Sequence, residues 1–238
     1  MLVETKGIVL RTIKYGETSV ITDIYTLERG LQTFIVSGVR TAKSRTHASL
    51  LQLGTIVELV AYVREETKMN RVKEIHAAMV YTTIPFKILK SSVALFMVEL
   101  TQKTVKESES NPSLFEFLVR SFYYLDTTTE SVLNLPISFM VQLSEYLGFQ
   151  PTENEQPNFF DLKEGQFFTE EPLHQYFLSP IHSQLLIKFL ETDLQNAHLI
   201  EISGADRRFL LMRMCDYYRM HATNFQSLNT IAVLQEVL

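Results

Sequence analysis

Between residues 40 and 73 the chain carries seven basic side chains, Arg40, Lys43, Arg45, Arg64, Lys68, Arg71 and Lys73, against three acidic ones, Glu58, Glu65 and Glu66. The first three fall in a polar loop, Gly38-Val39-Arg40-Thr41-Ala42-Lys43-Ser44-Arg45-Thr46-His47, which holds no acid. Cations at that density can neutralise phosphates one by one, whatever bases the phosphates carry. Tyr15, Tyr25, Phe34 and Tyr62 lie in the same part of the chain and offer ring faces for base stacking. Each feature has a plainer use: a basic loop as a solvated surface turn, and aromatic rings in a small domain as core.

Side chains for covalent or acid–base chemistry are not gathered in the same way. No glycine-rich phosphate loop, G-x-S-x-G elbow, H-E-x-x-H motif or i,i+4 histidine pair occurs. The six histidines, His47, His76, His174, His182, His198 and His221, are scattered. The acidic pairs Glu65-Glu66 and Glu170-Glu171 stand in turn-like contexts that suit a solvated surface. A carboxylate site assembled from distant sequence is the one catalytic route left open, so the chain reads as a binding protein and not an enzyme. Its single cysteine, Cys215, excludes an intramolecular disulfide framework and a cysteine-cluster zinc site, and reads as a small buried helix residue. Neither a cofactor nor a metal is expected.

The elements that must position the cations follow from where glycine and proline fall. Five of the eight glycines precede residue 55, and all seven prolines stand at or after Pro85. Glycines at bends, with no proline to interrupt a ladder, read as a small closed β-structure. Strands are expected over 3–13, 19–26, 31–36, 55–63 and 71–79, turning at Tyr15-Gly16-Glu17 and Glu28-Arg29-Gly30. Five strands in this length suit an OB-like barrel and equally a five-stranded SH3-like one. Helical spacing takes over from Pro85. Leu89, Val93, Phe96 and Leu100 share one face, and a second helix follows Pro112. A third, over 130–147, ends at Gly148 and contains Pro136, which is expected to kink or split it. Further helices follow Pro180 and a Ser203/Asp206 cap. The fold class is therefore α+β, a five-stranded barrel and then a helical body.

Net charge is −5, but it divides unevenly. Residues 1–85 hold 11 Lys/Arg against 8 Asp/Glu, a net of +3, and residues 86–238 hold 11 against 19, a net of −8. Such asymmetry points to an anionic partner for the front of the chain. No apolar run has the length of a membrane span and no signal region opens the chain, so a cytoplasmic, nucleoid-associated protein without membrane contact is expected.

Four short motifs in order, Lys6-Gly7-Ile8-Val9-Leu10, Tyr15-Gly16-Glu17-Thr18, Thr26 through Gly30, and Gly38-Val39-Arg40 with Lys43-Ser44-Arg45, resemble the N-terminal OB-fold domain of bacterial RecO proteins. Arg207-Arg208-Phe209-Leu210-Leu211, Tyr217-Tyr218-Arg219-Met220-His221 and Gln226-Ser227-Leu228 are similar to that family's final helices. The resemblance implies an OB-fold DNA-binding domain over 1–82 and a helical domain over 83–238. It implies a recombination mediator in DNA gap repair that binds single-stranded DNA, anneals complementary strands, and loads RecA together with RecR and single-strand-binding protein. It also implies a site in the helical body for the acidic, aromatic-ended tail of single-strand-binding protein, for which Arg207, Arg208 and Arg213 are the candidates. Many members carry a four-cysteine zinc motif, but the corresponding segment, within an irregular insertion near 151–179, has no cysteine. An aromatic hairpin built on Phe159, Phe160, Phe167, Phe168, Tyr176 and Phe177 is expected there instead. The alternative to the mediator is a protein-interaction adaptor with weak or no DNA binding.

Overall fold

The computed structural model describes residues 1–39, 45–63, 69–152 and 158–237. They divide into two compact units, one of residues 1–86 and 98–126, the other of residues 87–97 and 127–238. The first unit thus takes in helical segments beyond the expected boundary at residue 82.

In the first unit β1 (Leu2–Tyr15), β2 (Ser19–Thr26), β3 (Gly30–Val36), β4 (Ile56–Tyr62) and β5 (Asn70–Ala77) close a barrel in the order β1-β2-β3-β5-β4. The long β1 closes it by pairing through its first half with β4 and through its second half with β2. All neighbours are antiparallel except β3 and β5. The strand order and that one parallel pair make the barrel OB-like and resolve the alternative that strand periodicity left open. Inward-facing Val9, Val20, Ile24, Phe34, Val36, Val57, Leu59, Ala61 and Ile75 fill it. Gly7 stands where a Cβ would strike the side chain of Ile24, so only glycine lets β1 pass this close to β2.

A short helix, α1 (Arg45–Leu50), joins β3 to β4. Beyond the barrel come α2 (Ile88–Thr104), which runs from the second unit into the first, and α3 (Pro112–Thr127). The Asn111 carboxamide accepts the Leu114 N–H at 3.0 Å and so caps the start of α3.

The second unit holds α4 (Leu135–Tyr146), α5 (Pro180–Glu191), α6 (Gly204–His221) and α7 (Thr230–Val237). Pro136 does not kink a longer helix, as expected; it stands in the first turn of α4, where a missing N–H costs nothing and its fixed φ suits entry. Gly148, at φ 79°, ends α4 in a Schellman motif, with its N–H donating to Glu145 and that of Phe149 to Ser144, each at 3.0 Å. Ser203 caps α6 by accepting the Asp206 N–H at 3.1 Å. The aromatic segment folds as a three-stranded sheet, β6 (Phe159–Asp161) lying between β7 (Gln166–Phe168) and β8 (Phe177–Leu178). Phe160 and Phe167 are fully buried, with ring centres 4.8 Å apart, and Phe160 packs edge-on to Tyr217 of α6.

Candidate nucleic-acid interface

The seven candidate cations belong to three pieces of chain carried by neighbouring elements. Arg40 and Lys43 lie outside the described residues, in the stretch leading into α1. Arg45 opens α1, and its side chain is likewise outside the description. Helix α1 packs against β5, the strand that bears Arg71 and Lys73. Arg64 and Lys68, also outside the described residues, belong to the connection from β4 to β5, which returns the chain to that same strand. Of the described residues in these pieces, α1 packs against β5, and β5 itself bears Arg71 and Lys73.

Arg71 is exposed and, among the described residues, has no ion-pair partner. It stands opposite Tyr62 of β4 on one side and Ile35 of β3 on the other. Lys73 is the extra residue of a bulge, because Val60 pairs with Glu74 and Ala61 with Val72. A bulge re-aims its side chain, and here the ammonium meets the Glu74 carboxylate at 3.0 Å in the open. The hydrogen bond to Glu74 and then its charge raise the Lys73 pKa, which keeps the cation protonated. Elsewhere on the barrel Lys6 pairs with Glu58 at 3.5 Å and Arg11 with Asp23 at 3.3 Å.

The four candidate rings separate by strand alternation. Tyr25 and Phe34 are buried. Tyr25 lies beside Phe115, and burial, then the charge of Glu107, pushes its hydroxyl up to about 12. Tyr15 and Tyr62 stay half in solvent, at 50% and 49% exposure.

The three arginines of α6 do not share a setting. Arg207 is buried; its Nε donates to the Asn134 side-chain oxygen at 2.8 Å and a terminal nitrogen to the Ile202 carbonyl at 3.3 Å. Arg208 is exposed. Arg213 pairs with Asp216 at 3.0 Å and donates to the Gln175 and Phe177 carbonyls, tying α6 to β8. Exposed Phe209, Met212 and Ile181 supply apolar surface in the same unit.

Two polar arrangements escaped the sequence reading. His182 lies between the Ser179 hydroxyl at 3.0 Å and the Asp206 carboxylate at 3.2 Å, with its ring against Phe209. Asp206 also accepts the Ser203 hydroxyl at 2.6 Å. Ser179 and Ser203 are the N-caps of α5 and α6, so the line stitches two helix starts together. Only the Ser203/Asp206 half was visible in the sequence, as a capping pattern. In the cysteine-less segment the buried Asp161 accepts the backbone N–H groups of Lys163 and Glu164 and meets His174 at 3.0 Å. Among the described residues no group of three or more His, Cys, Asp or Glu is placed to hold a metal ion. The donors of this segment do not fit a tetrahedral zinc. No helix among them is long and apolar enough to cross a membrane.

Comparison with known proteins matches residues 1–81 to the family model of the recombination protein O N-terminal domain and residues 85–224 to that of its C-terminal domain. The DNA repair protein RecO of Phocaeicola vulgatus is 35% identical over 239 residues, covering 100% of this chain and 99% of that protein. That of Christiangramia forsetii is 32% identical over 239 residues and that of Bacteroides fragilis 31% over 240, each with the same coverage. Among solved structures, the asparaginyl-tRNA synthetase of Entamoeba histolytica overlaps 67% of this chain and 35% of its own at 15% identity and a TM-score of 0.29, too remote to bear on the fold. With both domain models matched in order and relatives similar end to end, the chain belongs to the RecO family of DNA repair and recombination proteins, as a member without the four-cysteine motif.

Proposed function

We propose that the chain is a non-catalytic recombination mediator that binds single-stranded DNA through its barrel, anneals complementary strands, and with RecR and single-strand-binding protein helps load RecA. The observation that supports this reading is a closed OB-like barrel whose strand β5 carries the exposed Arg71 and Lys73, with α1 packed against that strand. Arg40, Lys43, Arg45, Arg64, Lys68, Arg71 and Lys73 neutralise phosphates there, and two strands whose repulsion is shielded can pair without ATP. A tail that is acidic and ends in an aromatic residue wants an apolar pocket with cations on its rim. Arg208 and Arg213, beside Phe209 and Met212, suit that rim; Arg207 would act by holding α6 in place.

The test is charge reversal of the loop, Arg40→Glu with Lys43→Glu and Arg45→Glu. Affinity for single strands should fall on the order of 100-fold or more at low salt, evenly across base sequences. Unchanged affinity in a folded triple variant removes the loop from the interface. The adaptor reading draws on the net charge of −5 and on the exposed apolar residues of α5 and α6. It predicts salt-insensitive association with a protein and no DNA binding.

A further inference from the structure

Helices α5 and α6 of the second unit each leave an apolar stripe in solvent. Ile181, Leu185 and Lys188 recur at helical spacing along α5, and Phe209 and Met212 stand one turn apart on α6. Ile181 is 72% exposed, Phe209 43% and Met212 38%. The ring centres of His182 and Phe209 lie 4.2 Å apart, which sets the two helix faces side by side. Each helix adds one exposed cation, Lys188 or Arg208, and neither has an ion-pair partner among the described residues. The loop between β7 and β8 has the opposite character and reads Glu170-Glu171-Pro172-Leu173. Both carboxylates are exposed and, among the described residues, unpaired.

Leu173 stands wholly in solvent, at 106% exposure, although both ends of its loop are fixed. The Thr169 carbonyl accepts the Asn158 carboxamide at 3.2 Å, and His174 meets Asp161 at 3.0 Å. A leucine held out on an anchored loop loses little conformational freedom on docking. Arg213 binds the Gln175 and Phe177 carbonyls to α6, so the loop and the stripes are carried by neighbouring elements, yet Leu173 does not fold back onto them. We infer that this loop docks on the α5–α6 stripes of a second copy of the chain. Glu170 and Glu171 meet Lys188 and Arg208, and Leu173 covers Ile181, Phe209 and Met212, so one chain carries both halves of a contact complementary in charge and in hydrophobicity. Two such halves pair by two-fold exchange, the loop of each copy on the stripes of the other, which closes the assembly at a dimer and makes every contact twice. The dimer covers the surface offered above to an acidic tail, so a second copy and such a tail exclude one another.

Sedimentation velocity of the full chain over a concentration series reads the association. The parent should pass from monomer to dimer, at a midpoint concentration that rises with salt. Leu173→Ala, at a position with no packing to lose, should weaken the dimer by at least about 10-fold. Charge reversal supplies the decisive pair. Glu170→Lys with Glu171→Lys sets cations against cations, and Lys188→Glu with Arg208→Glu sets acids against acids, so each double variant alone should be monomeric. Mixed in equal amounts, the two match at both contacts and should restore the dimer. A parent that stays monomeric throughout the series overturns the inference. So do double variants that dimerise like the parent, and a mixture that stays monomeric although both variants are folded by circular dichroism. Self-association through this unit is independent of DNA binding by the barrel, so the failure of either leaves the other standing.

Discussion

Asn134 shows how one side chain can carry a large share of a junction. Its Nδ2 donates to the carbonyls of Ala197 and Ile200, both at 2.9 Å, while its oxygen accepts from Arg207 at 2.8 Å. It thereby binds the start of α4 to the 3-10 turn over Leu194–Leu199 and to α6. Truncating a buried side chain with several partners leaves those partners unsatisfied, at about 1–3 kcal/mol. Asn134→Ala should accordingly lose about 2–3 kcal/mol in urea unfolding, whereas Arg208→Ala, at an exposed position, should change stability by less than about 0.5 kcal/mol. Equal effects would contradict the split between the two adjacent arginines. That split was readable in principle: Arg207, Leu210, Leu211, Met214, Cys215 and Tyr218 recur at helical spacing and form the buried stripe of α6. Grouping Arg207, Arg208 and Arg213 by charge alone concealed it. The rings divide by a similar rule, since Tyr62 is an outward residue of β4 between buried Ala61 and buried Val63, while Phe34 points into the barrel.

Among elements, the segment that leaves the barrel is held by one carboxylate. Asp126, near the end of α3, accepts the backbone N–H groups of Thr82, Thr83 and Ile84, each at 2.8 Å, and the Thr82 hydroxyl at 2.9 Å. Burial pushes this carboxyl up, but the amide donors and the Thr82 hydroxyl outweigh it and hold the pKa down to about 2, from an ordinary 3.8. The folded state thus binds the Asp126 proton more weakly than the unfolded chain does. Its stabilisation is complete above about pH 4 and is lost as pH falls towards 2. Urea midpoints measured from pH 5 to pH 2 should fall more steeply for the parent than for Asp126→Asn; parallel curves would contradict the assignment. All five strands were legible because alternation and turn residues agree over short windows. The start of α4 was not, since a proline inside a helical pattern marks a kink or a beginning alike, and only packing distinguishes them. The aromatic segment announced strands through its phenylalanines, but the pairing of β8 with β6 and the Asp161–His174 contact are long-range outcomes without a local signal.

At the scale of the whole molecule, charge and topology point the same way. The chain is acidic, yet the stretch that builds the barrel is net basic, with 11 Lys/Arg against 8 Asp/Glu up to residue 85. The barrel closes with α1 packed against β5, the strand that carries Arg71 and Lys73. The cations of this stretch were legible in the sequence, but the neighbourhood of Arg71 was not, because Arg71, Ile35 and Tyr62 come together only once β3, β4 and β5 pair. The central claim is electrostatic binding of single strands, and the direct test is fluorescence anisotropy of a labelled oligonucleotide with the full chain across a salt series. Affinity should fall with a log–log slope of about −0.7 for each phosphate neutralised, to a total of several units given seven candidate cations. A folded protein that binds no single strand even at low salt, or whose binding ignores salt, would contradict the account and leave the adaptor reading in its place.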